Sequence, residues 1–171
     1  MSASHSRVRA KDLELHQRLV KVKRVTKVVK GGRNLTFTGL VVVGDGQGVV
    51  GHGLGKAKEV STAVQKGANQ ARKQLINVPR RQQTIPHPVL GKFKGARVLL
   101  QPAAPGTGII AGGGVRAVLE SCGIQNVLAK SKGANTPHNV VQATLAALRQ
   151  LRDPRTIAQL RGITLQQVFN G

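Results

Sequence analysis

Every second residue of Gly51-His52-Gly53-Leu54-Gly55 is glycine, and the run leads straight into Lys56-Ala57-Lys58. A strand with one face bare of side chains lets something come very close: a helix packed on the sheet, or the phosphates of a ligand. After Lys56 the residues Val60, Ala63, Val64, Ala68, Ala71 and Leu75 recur at helical spacing, so a helix follows the glycine strand. Ahead of it, two apolar runs flank Asp45-Gly46, a hairpin turn in which glycine accepts positive φ without strain. Farther upstream Leu35, Phe37, Gly39, Val41 and Val43 alternate on one face. Val20 and Val22 also alternate, then slip by one near Arg24, as a β-bulge would make them. Residues 18–76 therefore predict three antiparallel strands followed by one helix.

The glycines invite a nucleotide test. A P-loop needs Gly, four residues, then Gly-Lys-Ser/Thr; around Gly55-Lys56 the first position is Val50 and the hydroxyl position is Ala57. Without the hydroxyl there is no loop ligand for magnesium. A dinucleotide pattern occurs at Gly46, Gly48 and Gly51, but a strand follows where a helix should begin. The acid that would hold the ribose is missing too, since nothing acidic lies between Glu59 and Glu120. A second glycine loop, Gly106 to Gly114, precedes a helix with Arg116 as its only nearby cation and no Lys-Ser/Thr after it. Arg116 can equally be a surface partner of Glu120 one turn on. Neither loop predicts a nucleotide site, and no cofactor is expected.

Charge points elsewhere. The chain carries 27 Lys and Arg against 6 Asp and Glu, a formal net charge of +21 over 171 residues. Such self-repulsion calls for a polyanionic partner, most commonly nucleic acid. With no Trp or Tyr and only Phe37, Phe93 and Phe169, there is little on which to stack unpaired bases. Recognition should run through phosphates, sugars and shape, which favours folded or double-stranded RNA or the DNA backbone. No apolar run approaches the ~20 residues of a spanning helix, and MSASHSRVRAKD has no signal-peptide core. The lone Cys122 fits a reducing compartment. A cytoplasmic polyanion binder without a membrane partner is the expectation.

The densest cationic segment is Arg18 to Arg33, where Arg18, Lys21, Lys23, Arg24, Lys27, Lys30 and Arg33 occur with no acid among them. Protection of a sheet edge explains two or three lysines, not seven cations. Gly31 and Gly32 sit between Lys30 and Arg33 as a turn with room for RNA backbone to approach. Lys56 and Lys58 at the helix start make a second candidate phosphate contact. Further groups are Arg80 with Arg81, and Lys92 with Lys94 and Arg97. Catalysis has no comparable constellation. Asp12 and Glu14 lie near the N-terminus, Asp45 in a turn, Asp153 at a helix start, and Glu59 and Glu120 are far apart. The five histidines are not at metal-ligand spacing, and one cysteine makes no zinc site. No enzyme and no metal are expected.

The first half resembles the double-stranded RNA-binding module, with its three-stranded sheet, glycine-rich third strand and lysine-rich helix start. Together the motifs VKGGR (29–33), VVGDG (42–46), GTGIIAGG (106–113) and NVVQATLAAL (139–148) resemble those of the fifth protein of the small ribosomal subunit, the universal S-five family in its bacterial form. The resemblance runs over residues 12–170. It implies an α+β fold of two domains: a double-stranded-RNA-binding-like module, three antiparallel strands plus a helix, then an α/β domain of βαβ organisation. The expected division is a flexible basic tail over 1–14, the first domain over 15–78, a linker over 79–88, the second domain over 89–152 and a helical extension over 153–171. The proline-rich Val78–Pro88 supports that linker by composition. In the second half, GARVLLQPA and NVLAK read as strands, and Val115 to Cys122 as a helix ended by Gly123. Thr136-Pro137 starts another helix with Val141, Leu145, Leu148 and Leu151 on its apolar face, and Asp153-Pro154 another short one closed by Gly162.

The resemblance also implies partners and a role. These are small-subunit ribosomal RNA, the neighbouring proteins of the fourth and eighth small-subunit families, and messenger RNA nearby where it enters. The implied role is to steady the junction of the subunit's head and body, with an effect on translational accuracy. The glycine loop carrying Arg116 would meet RNA and a neighbouring protein, and the VKGGR hairpin would reach toward the junction.

Overall fold

In a computed structural model, which describes residues 13–170, the chain folds as two sheets, each covered by helices and joined through one core. Of the tail expected over residues 1–14, residues 1–12, Asp12 included, lie outside the described residues. The first sheet contains β1 (His16–Val29), β2 (Gly32–Gly44), β3 (Val49–Ala57) and β4 (Ile76–Asn77) in that order, all neighbours antiparallel. The sequence predicts three of these strands. The fourth is the two-residue β4, which pairs with Val49 and Val50 and is too short to leave a periodic pattern. The β-bulge also lies elsewhere than expected: the β1–β2 register shifts between Leu19 and Lys21, not near Arg24. Beyond it pairing is regular through Arg24 to Val29.

Helix α1 (Val60–Arg72) packs on one face of this sheet, where Val41 and Val43 meet Ala68 and Ala71. The alternating apolar face of β2 is thus real near Val41 and Val43, while Leu35, toward the hairpin end, is 48% exposed. The next residues along the strand are buried as well. Leu40 and Val42 point to the other face and join the main core with Val50, because the second half of the chain covers them.

That second half contains β5 (Val89–Phe93), β6 (Ala96–Pro102), β7 (Ile109–Ile110), α2 (Gly113–Cys122), β8 (Val127–Gly133) and α3 (Pro137–Gln150), followed by α4 (Pro154–Arg161) and α5 (Leu165–Asn170). Sheet order is β5-β6-β8-β7. Strands β7 and β8 are parallel and α2 crosses between them, giving the βαβ unit. Gly123 closes α2 in the left-handed conformation, at φ 79°, and Gly162 closes α4 at φ 65°. Asp153 caps α4 by accepting a hydrogen bond from the Arg155 N–H at 3.1 Å. Thr136 occupies the N-cap of α3, but its hydroxyl makes no capping bond; Pro137 behind it sets the helical φ.

Proline content makes residues 79–88 read as a linker, yet the segment is pinned at both ends and in the middle. Val78 and Ile85 are buried, the Thr84 hydroxyl donates to the Asn126 carbonyl at 2.6 Å, and Arg81 bridges back to Thr84. The guanidinium of Arg80 donates to the carbonyls of Gly46, Gln47 and Gly123, tying the β2–β3 turn to the end of α2. At that junction the Gly46 N–H donates to the Ser121 carbonyl at 3.0 Å, and a Cβ on Gly44 would overlap the same carbonyl. The halves meet backbone to backbone.

Candidate nucleic-acid interface

The glycine strand can now be placed. A Cβ on Gly53 would overlap the Gly67 carbonyl and one on Gly55 the Ala63 carbonyl; one on Gly51 would lie 2.6 Å from the Ala71 oxygen. Gly51, Gly53 and Gly55 face α1 and let helix and strand backbones touch. The other face of β3 presents His52, Leu54 and Lys56.

Strand β3 pairs with β2 only from Phe37 to Gly44, so Val25–Val29 and Gly32–Thr36 continue as a two-stranded ribbon beyond the sheet. Its tip is Lys30-Gly31, between the paired Val29 and Gly32. Only one of the two glycines needs its freedom: Gly32 has φ +141°, whereas Gly31 is not at positive φ and has no atom within 4 Å of a built Cβ. Cationic residues alternate between the two faces of the β1–β2 hairpin, base and ribbon together. Lys21, Lys23 and Lys27 oppose Leu40, Thr38 and Asn34 on one face; Arg24 opposes Phe37 on the other, where Arg33 also lies, opposite Val28. Lys23, Thr38 and Lys56 form a row across three strands, so a lysine from the hairpin and one from the helix start share a face. At the usual strand spacing those two strands are about 10 Å apart. Lys58 follows in the turn into α1. Sequence reasoning passed over Thr36, Thr62 and Lys66, which with Lys56, Lys58 and Glu59 line an open cavity of about 580 Å³. The signal for Lys66 was its helical offset from Lys58 and Thr62; that for Thr36 was long-range register alone. Glu59, the N-cap of α1, makes no capping bond with its side chain, and no acid follows in the first turn.

Two predicted contacts are otherwise engaged. Arg18 forms an ion pair with Glu120 of α2. Glu120 is therefore the partner of Arg18, not of Arg116 as the helical spacing suggested. Arg116, in the first turn of α2, instead donates from Nη2 to the Ile109 carbonyl at 2.7 Å, tying the glycine loop to the helix that follows it. In that loop the buried Asn126 side chain accepts from the N–H groups of Gly106 and Gly108 at 3.0 and 3.1 Å and donates to Gln83. Backbone donors that would cradle a phosphate in a nucleotide loop are spent on an amide.

His52 sits where the halves meet. It is buried, and the Gln142 amide of α3 donates to its Nε2 at 2.5 Å. Burial, with the nearby His138 and Arg149, lowers its pKa to about 4, so the ring is a neutral acceptor. Burial also pushes the Cys122 thiol up to about 12, leaving it protonated. Among the described residues no three His, Cys, Asp or Glu side chains group as a metal would need, and no helix is long and apolar enough to cross a membrane.

Comparison with known proteins bears on both halves. The family described as "Ribosomal protein S5, N-terminal domain" matches residues 15–79, and "Ribosomal protein S5, C-terminal domain" matches residues 91–161. The chain belongs to the ribosomal protein S5 family. Its relatives in that family include the small ribosomal subunit protein uS5 of Bacteroides thetaiotaomicron, 53% identical over 172 residues with all of both chains covered. That of Flavobacterium psychrophilum is 56% identical over 164 residues, covering 96% of this chain and 94% of its own. That of Salinibacter ruber is 58% identical over 154 residues, covering 90% and 88%. The S5 family is structural and not enzymatic.

Proposed function

We propose that this chain is a structural constituent of the small ribosomal subunit that binds ribosomal RNA, in the cytoplasm, through the β1–β2 hairpin and the face it shares with Lys56. The observation that carries this reading is the acid-free β1–β2 hairpin, with Lys21, Lys23 and Arg24 at its base beside β3 and Lys27, Lys30 and Arg33 on the ribbon that projects past it. Clamped by Lys30 and Arg33, the bare tip at Gly31 and Gly32 accepts RNA backbone. Lys56 and Lys58 contact phosphate beside the α1 N-terminus. Arg18 and Arg116 contribute less directly, since each also holds the fold together.

In this reading the hairpin reaches the junction of the subunit's head and body and helps to keep decoding accurate. The protein adjoins members of the fourth and eighth small-subunit families and lies beside incoming messenger RNA. Residues 15–78 and 89–152 act as an RNA-binding unit and an α/β unit, joined by the strap at 79–88 and followed by the helices of 153–171. Binding to small-subunit ribosomal RNA releases counterions: for about six phosphate contacts log K falls against log salt with a slope near −5. A titration with a slope shallower than about −2 would leave the charge idle and refute RNA binding by the hairpin.

A further inference from the structure

The sheet of the second half has one covered face and one open face. A Cβ on Gly91 would overlap the Ala143 carbonyl of α3, and Val98, Leu100, Val127 and Ala129 are buried on the same side. Alternate residues of the same strands point the other way. Lys92 pairs with Arg97, and Arg97 with Lys132, so three cations stand in a row across three adjacent strands. The next row is Leu90, Leu99 and Lys130. Lys92, Arg97, Lys130 and Lys132 are all exposed.

Like charges directly opposite one another on a sheet repel, so the row is unfavourable in the isolated protein. The chain supplies no relief within the sheet, since β5, β6, β7 and β8 contain no Asp or Glu. Nor does the open face carry an aromatic ring, because Phe93 alternates with Lys92 and packs against the core. Protein–protein interfaces are depleted in lysine and enriched in aromatics, so this composition fits a phosphate backbone better than an acidic protein. About 10 Å separates the outer strands of the row, a flat patch that can lie along a backbone but cannot enter a groove.

We infer that the open face of this sheet, through Lys92, Arg97, Lys130 and Lys132, is a second RNA surface that holds the phosphodiester backbone of ribosomal RNA independently of the hairpin. This rests on the ribosomal reading above and adds a site on the other half of the molecule. Register assembles it: Lys132 stands far along the chain from Lys92 and Arg97.

The test compares two variants of the full chain titrated with small-subunit ribosomal RNA across a salt series and footprinted with hydroxyl radicals. One is Lys92→Gln, Arg97→Gln, Lys132→Gln; the other is Lys30→Gln, Arg33→Gln. The triple variant should fold, bind with a salt slope shallower by about 2–3, and lose a protected RNA segment that the hairpin variant keeps. The charge-preserving triple Lys92→Arg, Arg97→Lys, Lys132→Arg should keep the parent slope. If the triple Gln variant keeps the parent slope and footprint while the hairpin variant does not, the second surface is overturned and the hairpin reading stands. If neither variant changes the slope, the RNA reading itself falls. Loss of subunit incorporation with an unchanged slope would give the face to an acidic protein and also overturn the inference.

Discussion

Nothing lies within 4 Å of the Cβ that Gly31 lacks, and its φ is not positive, whereas the adjacent Gly32 holds φ +141°. Gly31→Asp should therefore cost the fold about 1 kcal/mol or less, while placing a carboxylate where RNA must approach. Gly32→Asp adds backbone strain of about 1–3 kcal/mol. Melting curves should separate the two, and both should weaken the hairpin footprint; an unchanged footprint for Gly31→Asp would reduce the tip to a plain turn. His52 supports a different forecast. Its folded pKa of about 4 lies below the ordinary 6.5, so the unfolded chain takes up a proton that the native chain refuses. The stability that His52 contributes is fully present above pH 6.5, falls as the pH drops below it, and keeps falling to about pH 4. The loss amounts to about 3 kcal/mol. With 6 Asp and Glu in the chain, few carboxylates compete for this acid limb. Denaturant melts of His52→Gln between pH 7 and 4 should show a flatter limb than the parent; equal slopes would refute the assignment.

At the scale of elements, strand β3 and helix α1 are held backbone to backbone by glycines on both sides. Gly67 of α1 leaves a built Cβ only 3.0 Å from Val41 Cγ2 and 3.2 Å from the Gly55 nitrogen, so neither element can retreat into a gap. Gly53→Ala places a methyl in the Gly67 carbonyl and forces the helix off the sheet, at a cost of about 3 kcal/mol. In a chain of this length that is a fall in Tm of roughly 6–12 °C. The exposed Gly31→Ala, with no atom to meet, serves as the control. If the two alanine variants melt alike, the close approach is not what the glycines are for.

For the molecule as a whole, one cluster of buried residues runs from Leu40, Val42 and Val50 through Val118 and Leu119 to Leu145 and Leu148. The two family regions should therefore unfold in one transition. Arg80 is the test point, since its guanidinium bonds carbonyls on the turn of the first half and at the end of α2 in the second. Arg80→Ala should lower stability by about 2 kcal/mol, partly screened because the side chain reaches solvent. By calorimetry the transition should stay single; two separated transitions would mean that the halves are coupled by the strap and not by the core.

What local chemistry writes down was legible in the sequence. Glycine at every second position, helical spacing from Val60 to Ala71, turn residues at Asp45-Gly46 and caps at Asp153, Gly123 and Gly162 each act within a few residues, and each stands where its spacing predicts. Leu75 does not, because α1 ends at Arg72 and Leu75 is buried in the turn beyond it. The excess of cations was equally plain, because charge is counted and need not be folded. Long-range register is another matter. Which of Gly51's neighbours face α1, the partner of Glu120, the short strand β4 and the row Lys92, Arg97, Lys132 all depend on pairings between residues distant along the chain. Shifting any strand by one residue would turn each of those side chains to the opposite face. The bulge beside Val20 is such a shift, and only the packed core beneath it decides where it falls.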